Sequence, residues 1–425
     1  MNWSDTERGT REGISRRRLL ATVGAAGTVS LAGCGLTGGG SDEDGDGNSG
    51  PVQVGVAVPQ DGSQINEGEH LVDGYRLAAT HINSGSGATT VEPWGDIGEG
   101  VVGREIELTI EDTSSTTDGA QQSAELLLNQ DVDMITGGGS PGEGVGLQQT
   151  VGGEDVVYMG GYTPLGSLWD QYCSENVFNE MYTPAKTAAA LRAYLTSEIG
   201  AETDVTFAQL CPDNEFGDGL STQVRTTLEG IGRSWSHNRS IETSQNIRSF
   251  TGPLEEILAT GADLIVLNYT GRTAASALAE LQAQAPDIDV VVPILDGVAA
   301  REAEDALAGV VGTTPWHTQL DSEFSGAFFS SWGDVETNID APSDIAYIAY
   351  VQLCQYAAAA ERAGSVEPDA VRSELEGYSY AFGSRTHELR ACDDGVRRDV
   401  PVVTGLSTEQ QSAGLYVQGE QIVTT

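Results

Sequence analysis

A glycine-rich turn presents a serine in a setting where two kinds of chemistry are possible. The segment Gly137-Gly138-Gly139-Ser140-Pro141-Gly142 follows a short apolar run and opens a helix. The backbone N–H groups and the dipole at the start of a helix favour an anion, and a serine there also commonly caps the helix. The same residues fit the G-x-S-x-G pattern of a hydrolase, in which Ser140 would be the nucleophile and His317 or His387 the base.

Pro141 argues against the hydrolase. The residue after the nucleophile must donate a backbone N–H to the oxyanion hole, and proline has none. A chain with 54 glycines also produces G-x-S-x-G easily by chance. We therefore expect no enzyme activity. Anion binding and helix capping by Ser140 remain compatible with each other.

Polar side chains follow other apolar runs in the same way. Thr163 comes after the run that ends at Gly160, with Tyr162 as a candidate wall beside it, and Asp296 follows an apolar run at 290–295. Asn268 and Tyr269 follow a third run. Ligands bind outside the carboxyl ends of strands in open parallel sheets, so these positions are candidates for one site. The alternative for Asp296 is a simple Asp-Gly turn.

The elements that must position these residues form two successive runs of strands and helices. Strands separated by helices indicate parallel sheets that are covered on both faces, and two runs indicate two such domains. The first run has predicted strands at 52–58, 105–112, 133–137 and 156–160, with helices at 69–82 and 117–129. The second run has strands at 205–210, 234–240, 264–267 and 290–295, with helices at 219–230, 253–260 and 274–283.

The N-terminus carries two export signals in order. Ser15-Arg16-Arg17-Arg18-Leu19-Leu20 is a twin-arginine motif, and the apolar run after it is too short to span a bilayer. Leu31-Ala32-Gly33-Cys34 resembles the lipobox of exported lipoproteins. We therefore expect a signal peptide at 1–33, a lipidated Cys34 and a flexible acidic linker at 34–51. The alternative is a frayed apolar terminus without a signal.

Charge excludes some partners. Without residues 1–33, which carry five arginines and three acids, 60 acids face 16 bases, a net charge of −44. Such a surface repels nucleic acid and anionic lipid. The acids occur in every segment, which favours adaptation to concentrated salt, where the Debye length is about 3 Å. This composition resembles that of haloarchaeal proteins, although binding of cations or basic partners is a second interpretation.

Cysteine and histidine usage predicts neither a metal nor a cofactor. Cys173, Cys211, Cys354 and Cys392 are widely spaced, so three disulfide pairings are possible and the sequence does not choose among them. Asn238-Arg239-Ser240 is a candidate glycosylation sequon.

Several segments, in this order, resemble a known family. They are Val52-Gln53-Val54-Gly55, Gly74-Tyr75-Arg76-Leu77-Ala78-Ala79 with His81-Ile82-Asn83, Val102-Gly103-Arg104-Glu105-Ile106-Glu107-Leu108, Gly139-Ser140, Phe216-Gly217-Asp218-Gly219 and Leu295-Asp296-Gly297-Val298. The chain from 52 to 405 is thereby similar to the extracellular substrate-binding proteins of branched-chain amino acid ABC transporters.

This resemblance implies the type I periplasmic-binding fold, in which two doubly wound parallel-sheet lobes are joined by three crossover segments. Lobe 1 would hold 52–182 and 313–376, and lobe 2 would hold 184–312 and 377–425. The resemblance also implies hinge closure at the crossovers around one small molecule. A permease would receive the solute from a monomeric, lipid-anchored protein. A ligand sensor that acts with a separate receptor is the alternative.

The resemblance also assigns roles to residues. Ser140, Thr163 and the carbonyl of Gly161 would hold the carboxylate and amine of an amino acid, and Asp296 would face its ammonium. Phe216 stands where the family often has a tyrosine that packs on the ligand, and Asn268 and Tyr269 would line the cleft. Glu67 replaces a frequent aromatic residue, which would favour a polar or basic solute. Glu67 could equally reflect salt adaptation.

Overall fold

The computed structural model describes residues 50–95, 97–320, 322–382, 385–388, 399–406 and 417–424. The predicted signal peptide, Cys34, most of the linker and Cys392 lie outside the described residues, as does the side chain of His387. Within the described ranges, no helix combines the length and the apolar character needed to cross a bilayer.

The first lobe is built on a five-stranded parallel sheet in the order β2-β1-β3-β4-β5. Alternating valines in β1 are fully buried, as expected for a strand covered on both faces. The strands are β1 Val52–Val58, β2 Ile106–Asp112, β3 Met134–Gly137, β4 Val157–Gly160 and β5 Val177–Asn179. The helices that follow them are α1 Ile65–Ser84, α2 Thr117–Leu128, α3 Pro141–Val151 and α4 Ser167–Asp170.

The second lobe is built on a seven-stranded sheet in the order β14-β13-β10-β9-β8-β6-β7. Its strands are β6 Val205–Pro212, β7 Trp235–Thr243, β8 Leu264–Leu267, β9 Asp289–Ile294, β10 Val311–Thr313, β13 Asp399–Gly405 and β14 Val417–Thr424. Its helices are α5 Pro184–Glu198, α6 Glu215–Glu229, α7 Thr251–Leu258, α8 Gly271–Gln284 and α9 Gly297–Glu302. A separate hairpin pairs β11 Ser379–Phe382 with β12 Arg385–Glu388.

The chain returns to the first lobe after β10. Helices α10 Glu323–Ser330, α11 Asp344–Ala363 and α12 Pro368–Leu375 follow, and α11 packs along α1. The contact is close at Gly74, where an added Cβ would lie 2.3 Å from the carbonyl oxygen of Ala346. Helix α11 is buried around most of its circumference, so it forms part of the core of the first lobe.

The predicted fold class is confirmed, but the structure also has elements that the sequence analysis did not predict, among them β5, β10 and α5. Strands β13 and β14 pair antiparallel at one edge of the second sheet, where only parallel strands were expected. Helix α6 begins four residues before the predicted start at 219, because the Asn214 side chain accepts a hydrogen bond from Gly217 N–H and caps the helix. The exact lobe boundaries stay a prediction.

The cysteines are now partly assigned. Cys173 is disulfide-bonded, whereas Cys211 and Cys354 are buried free thiols. A pairing between Cys211 and Cys354 is therefore excluded.

Replacing Gly74 with alanine tests the α1–α11 contact. Alanine normally stabilises a helix by about 1 kcal/mol relative to glycine. Here the methyl group would collide with the α11 backbone, so we expect a net loss of about 1–2 kcal/mol in the free energy of unfolding. Denaturant titration measures the change. The matched control is Gly219→Ala in α6, where nothing lies within 4 Å of the added methyl group, and this variant should be neutral or stabilised.

Candidate ligand-binding site

Asp296 lies between two helix N-termini of the second lobe. It caps α9, where its Oδ1 accepts a hydrogen bond of 2.8 Å from Ala299 N–H. Its Oδ2 accepts one of 2.7 Å from Gly271 N–H at the start of α8. The side chain is fully buried, and burial raises the pKa of its carboxyl group. The two backbone donors and the two helix dipoles favour the charged form against this effect.

A tyrosine of the first lobe also reaches Asp296. The hydroxyl of Tyr162, two residues beyond β4, donates a hydrogen bond of 3.0 Å to Asp296 Oδ2. Because β4 belongs to the first sheet and Asp296 follows β9 of the second, this bond links the two lobes. Sequence reasoning placed Tyr162 at the site as a wall but did not identify it as a hydrogen-bond donor.

Asp344, which the sequence analysis missed, is a second buried carboxyl group beside Asp296. It is the first residue of α11, and it accepts hydrogen bonds from Gly297 N–H at 2.7 Å and from the Thr314 hydroxyl at 3.3 Å. Burial, and then the neighbouring Asp296 carboxylate, raise its pKa. In the sequence, Asp344 follows the helix-capping Ser343 and resembles an ordinary first-turn acid, so only its long-range contacts reveal its position.

Glu67 of α1 is the third buried acid, with 7% of its surface exposed. Its Oε1 lies 2.2 Å from the position that a Cβ on Gly271 would take, and Gly271 has a φ of +54°. Glycine at 271 therefore adopts a left-handed backbone conformation without strain and also leaves room for the Glu67 side chain. Burial, and then the Asp296 carboxylate, raise the pKa of Glu67 to about 8. We call Glu67, Asp296 and Asp344 the acidic cluster.

Ser140 caps α3, as its position before Pro141 suggested. Its Oγ accepts from Glu143 N–H at 3.4 Å, while the Glu143 carboxylate accepts from Gly139 N–H at 2.8 Å. This is a variant of the capping box in which the glutamate reaches one residue further back. Part of the predicted anion-binding turn is thus already occupied by the protein's own carboxyl group. Burial raises the pKa of Glu143 to about 7.

Thr163 and Gly161 lie beside this turn, because β3 and β4 are neighbours in the sheet. The Thr163 hydroxyl accepts from the Asn179 side chain at 3.1 Å, and Thr163 N–H donates to the Gly161 carbonyl at 3.1 Å. An added Cβ on Gly138 would lie 2.8 Å from the Thr163 methyl group. The structure therefore brings the Ser140 turn and Thr163 together, and their ligand roles stay predictions.

The remaining predicted residues belong to the second lobe. Phe216 is buried in the first turn of α6. Asn268 donates from its side chain to the Leu210 carbonyl at 3.2 Å, and its Oδ1 is buried without a hydrogen-bond partner among the described residues. Tyr269 shares a hydrogen bond of 2.8 Å with Thr243 and packs edge-on against Phe250, inside the core of its own lobe.

Comparison with known proteins identifies the class that this fold and site define. A model of the periplasmic binding protein family matches residues 51–410, so the chain belongs to that family. No curated protein sequence matches the chain.

Solved structures share the fold at low sequence identity. An amino acid ABC transporter substrate-binding protein from Pseudomonas fluorescens is 17% identical with a TM-score of 0.75, covering 89% of this chain and 97% of that chain. A branched-chain amino acid transporter substrate-binding protein from Streptococcus pneumoniae, solved with isoleucine, is 14% identical with a TM-score of 0.72, covering 88% and 100%. A solute-binding protein from Rhodopseudomonas palustris, solved with benzoate, is 15% identical with a TM-score of 0.73, covering 88% and 98%.

The raised pKa of Glu67 gives the unliganded protein a pH-dependent stability. Between the ordinary pKa of 4.5 and about 8, the folded state holds a proton that the unfolded chain has lost. The stability that this proton gives the folded state is fully present below pH 4.5 and is lost as the pH rises to about 8. We expect the melting temperature of wild type, measured at constant salt, to fall relative to that of Glu67→Gln as the pH rises from 4.5 to about 8. Glu69→Gln, on the exposed face of the same helix, should follow wild type. Parallel profiles for wild type and Glu67→Gln would contradict the argument.

Proposed function

We propose that this protein is an extracellular solute-binding protein of an ABC transporter. It captures an amino acid or a related small polar solute between its two lobes and delivers it to a permease. The observation that carries the proposal is the acidic cluster, to which both lobes contribute. Glu67 and Asp344 come from helices of the first lobe, and Asp296 comes from the end of β9 in the second.

A cationic ligand satisfies the electrostatics of this cluster. Buried carboxylates without a cationic partner are costly, and in the unliganded protein protons offset that cost. An ammonium group would replace a proton and allow the carboxylate to ionise inside the closed cleft. The Ser140 turn, Thr163 and the Gly161 carbonyl lie on the first lobe, where we place the carboxylate and amine contacts of an amino acid.

Hydrogen bonds link the segments that connect the lobes. Tyr182, which precedes α5, shares a hydrogen bond of 2.9 Å with the Thr313 hydroxyl at the end of β10. Tyr380 of β11 and Gln355 of α11 both donate to the buried carboxylate of Glu180. We propose that these segments act as the hinge, so that opening breaks the Tyr162–Asp296 bond and exposes the acidic cluster.

The location rests on the family and on the N-terminal sequence. Periplasmic binding proteins act outside the cytoplasm, in agreement with the twin-arginine motif at Arg16-Arg17. We propose lipid attachment at Cys34, with the acidic linker as a tether that keeps the body near its permease. The excess of acids is consistent with a haloarchaeal source and work in concentrated salt.

Asp296→Asn tests the ammonium contact. Asparagine retains the capping oxygen for Ala299 N–H but removes the charge, so we expect at least a tenfold loss of affinity for the amino acid that binds wild type. Calorimetry, after a thermal-shift screen of amino acids and amides in high salt, measures the loss. The control is Asp289→Asn, an exposed aspartate at the opposite end of β9. Equal affinity of wild type and Asp296→Asn would refute the contact.

The Cys34→Ser variant tests the anchor. Without the thiol no lipid can be attached, so we expect the exported protein to move from the membrane fraction to the medium. Immunoblotting of both fractions measures the shift, and Cys211→Ser, which removes a buried thiol of the body, serves as the control. Membrane retention of the Cys34→Ser protein would contradict lipidation at this residue.

A further inference from the structure

We propose that Glu67 makes the site selective for solutes with a second positive charge, such as a basic amino acid or a diamine. The inference rests on the proposed function for the location of the site. It concerns the substrate class, which neither the fold nor the family determines.

The three buried carboxylates differ in their hydrogen bonds. Asp296 accepts from two backbone N–H groups and from the Tyr162 hydroxyl. Asp344 accepts from Gly297 N–H and the Thr314 hydroxyl. Among the described residues, no other residue donates to the Glu67 carboxylate, which has only its own backbone N–H. Glu67 is therefore the member of the acidic cluster that has no hydrogen-bond partner on another residue of the described ranges.

Two arginines near the acidic cluster have partners other than Glu67. The charge of Arg272, next to Gly271, lowers the pKa of Glu67, but this effect is smaller than the opposite effects of burial and of the Asp296 and Glu143 carboxylates. Its guanidinium pairs at 3.2 Å with Glu302, and its side chain is 59% exposed. Arg301, on α9, donates instead to the carbonyl of Ala341. Neither guanidinium is bound to Glu67, so neither of these neighbouring cations neutralises its carboxylate.

Glu67 differs in its surroundings from the acids of the surface. Acids that adapt a protein to salt gain from hydration, and therefore lie in solvent. Glu67 instead is directed at the α8 N-terminus of the opposite lobe, with its Oε1 so close to Gly271 that no side chain fits there. A glutamate placed at this interface at such electrostatic cost indicates a ligand contact.

The two carboxylates beside Gly271 favour a solute that carries two positive charges. Asp296 on the second lobe and Glu67 on the first both approach Gly271: Asp296 Oδ2 accepts from its N–H at 2.7 Å, and Glu67 Oε1 lies 2.2 Å from the position of an added Cβ. A solute with one ammonium group neutralises one of them and leaves the other buried. A solute with an α-ammonium and a side-chain ammonium or guanidinium neutralises both and bridges the lobes, which would stabilise the closed form.

The experiment ranks arginine, lysine and putrescine against leucine, isoleucine and glutamate by calorimetry on the whole protein in high salt. We expect the wild type to bind the dicationic probes at least tenfold more tightly than the neutral ones. Glu67→Gln should weaken binding of the dicationic probes at least tenfold and leave that of the neutral probes unchanged or stronger. Glu69→Gln, two residues away on the exposed face of α1, should behave as wild type.

The outcomes are distinguishable. Tighter binding of leucine or isoleucine than of arginine and lysine by wild type overturns this inference and leaves the proposed function intact. An equal effect of Glu67→Gln on all probes also overturns it. Stabilisation by calcium in place of any amine overturns it in favour of a metal ligand. If no amino acid, amine or amide binds, the proposed function fails as well. The wild-type ranking decides the matter even if Glu67→Gln does not fold.

Discussion

The Asp296 carboxylate connects three parts of the structure, and the arrangement of the site depends on it. Its two oxygens hold the N-termini of α8 and α9 together within the second lobe and receive the Tyr162 hydroxyl from the first. The two helix dipoles point their positive ends at this carboxylate, so its charge is tolerated at complete burial. That charge, added to the effect of burial, raises the pKa of Glu67 on α1 and of Asp344 on α11.

Sequence periodicity was sufficient for the α/β class and for the ends of β1, β3 and β4. Alternating valines in β1 and glycine-rich turns after β3 and β4 placed Ser140 and Thr163 at one edge of a sheet. The antiparallel strands β13 and β14 were not predicted, because the expected pattern was one of parallel strands separated by helices. Asp344 was missed for a related reason: its partner Gly297 lies 47 residues away in the chain.

The acidic composition made the functional acids harder to recognise. In a chain with 63 acids, a glutamate at position 67 or an aspartate at 344 carries no compositional signal. Burial separates these two from solvent-exposed acids such as Glu69, which lies only two residues from Glu67 on the same helix. Helical periodicity could have placed 67 and 69 on different faces, but it could not show that the inner face meets the second lobe rather than the core.

Gly271 shows how the backbone serves this electrostatic arrangement. Its φ of +54° turns its N–H toward Asp296, and its missing side chain leaves room for Glu67. A larger residue would have to displace one carboxylate or distort the start of α8, so this one position constrains both lobes. Glu67 and Asp296 approach Gly271 from opposite lobes, so this one glycine brings a carboxyl group of each lobe to the same point.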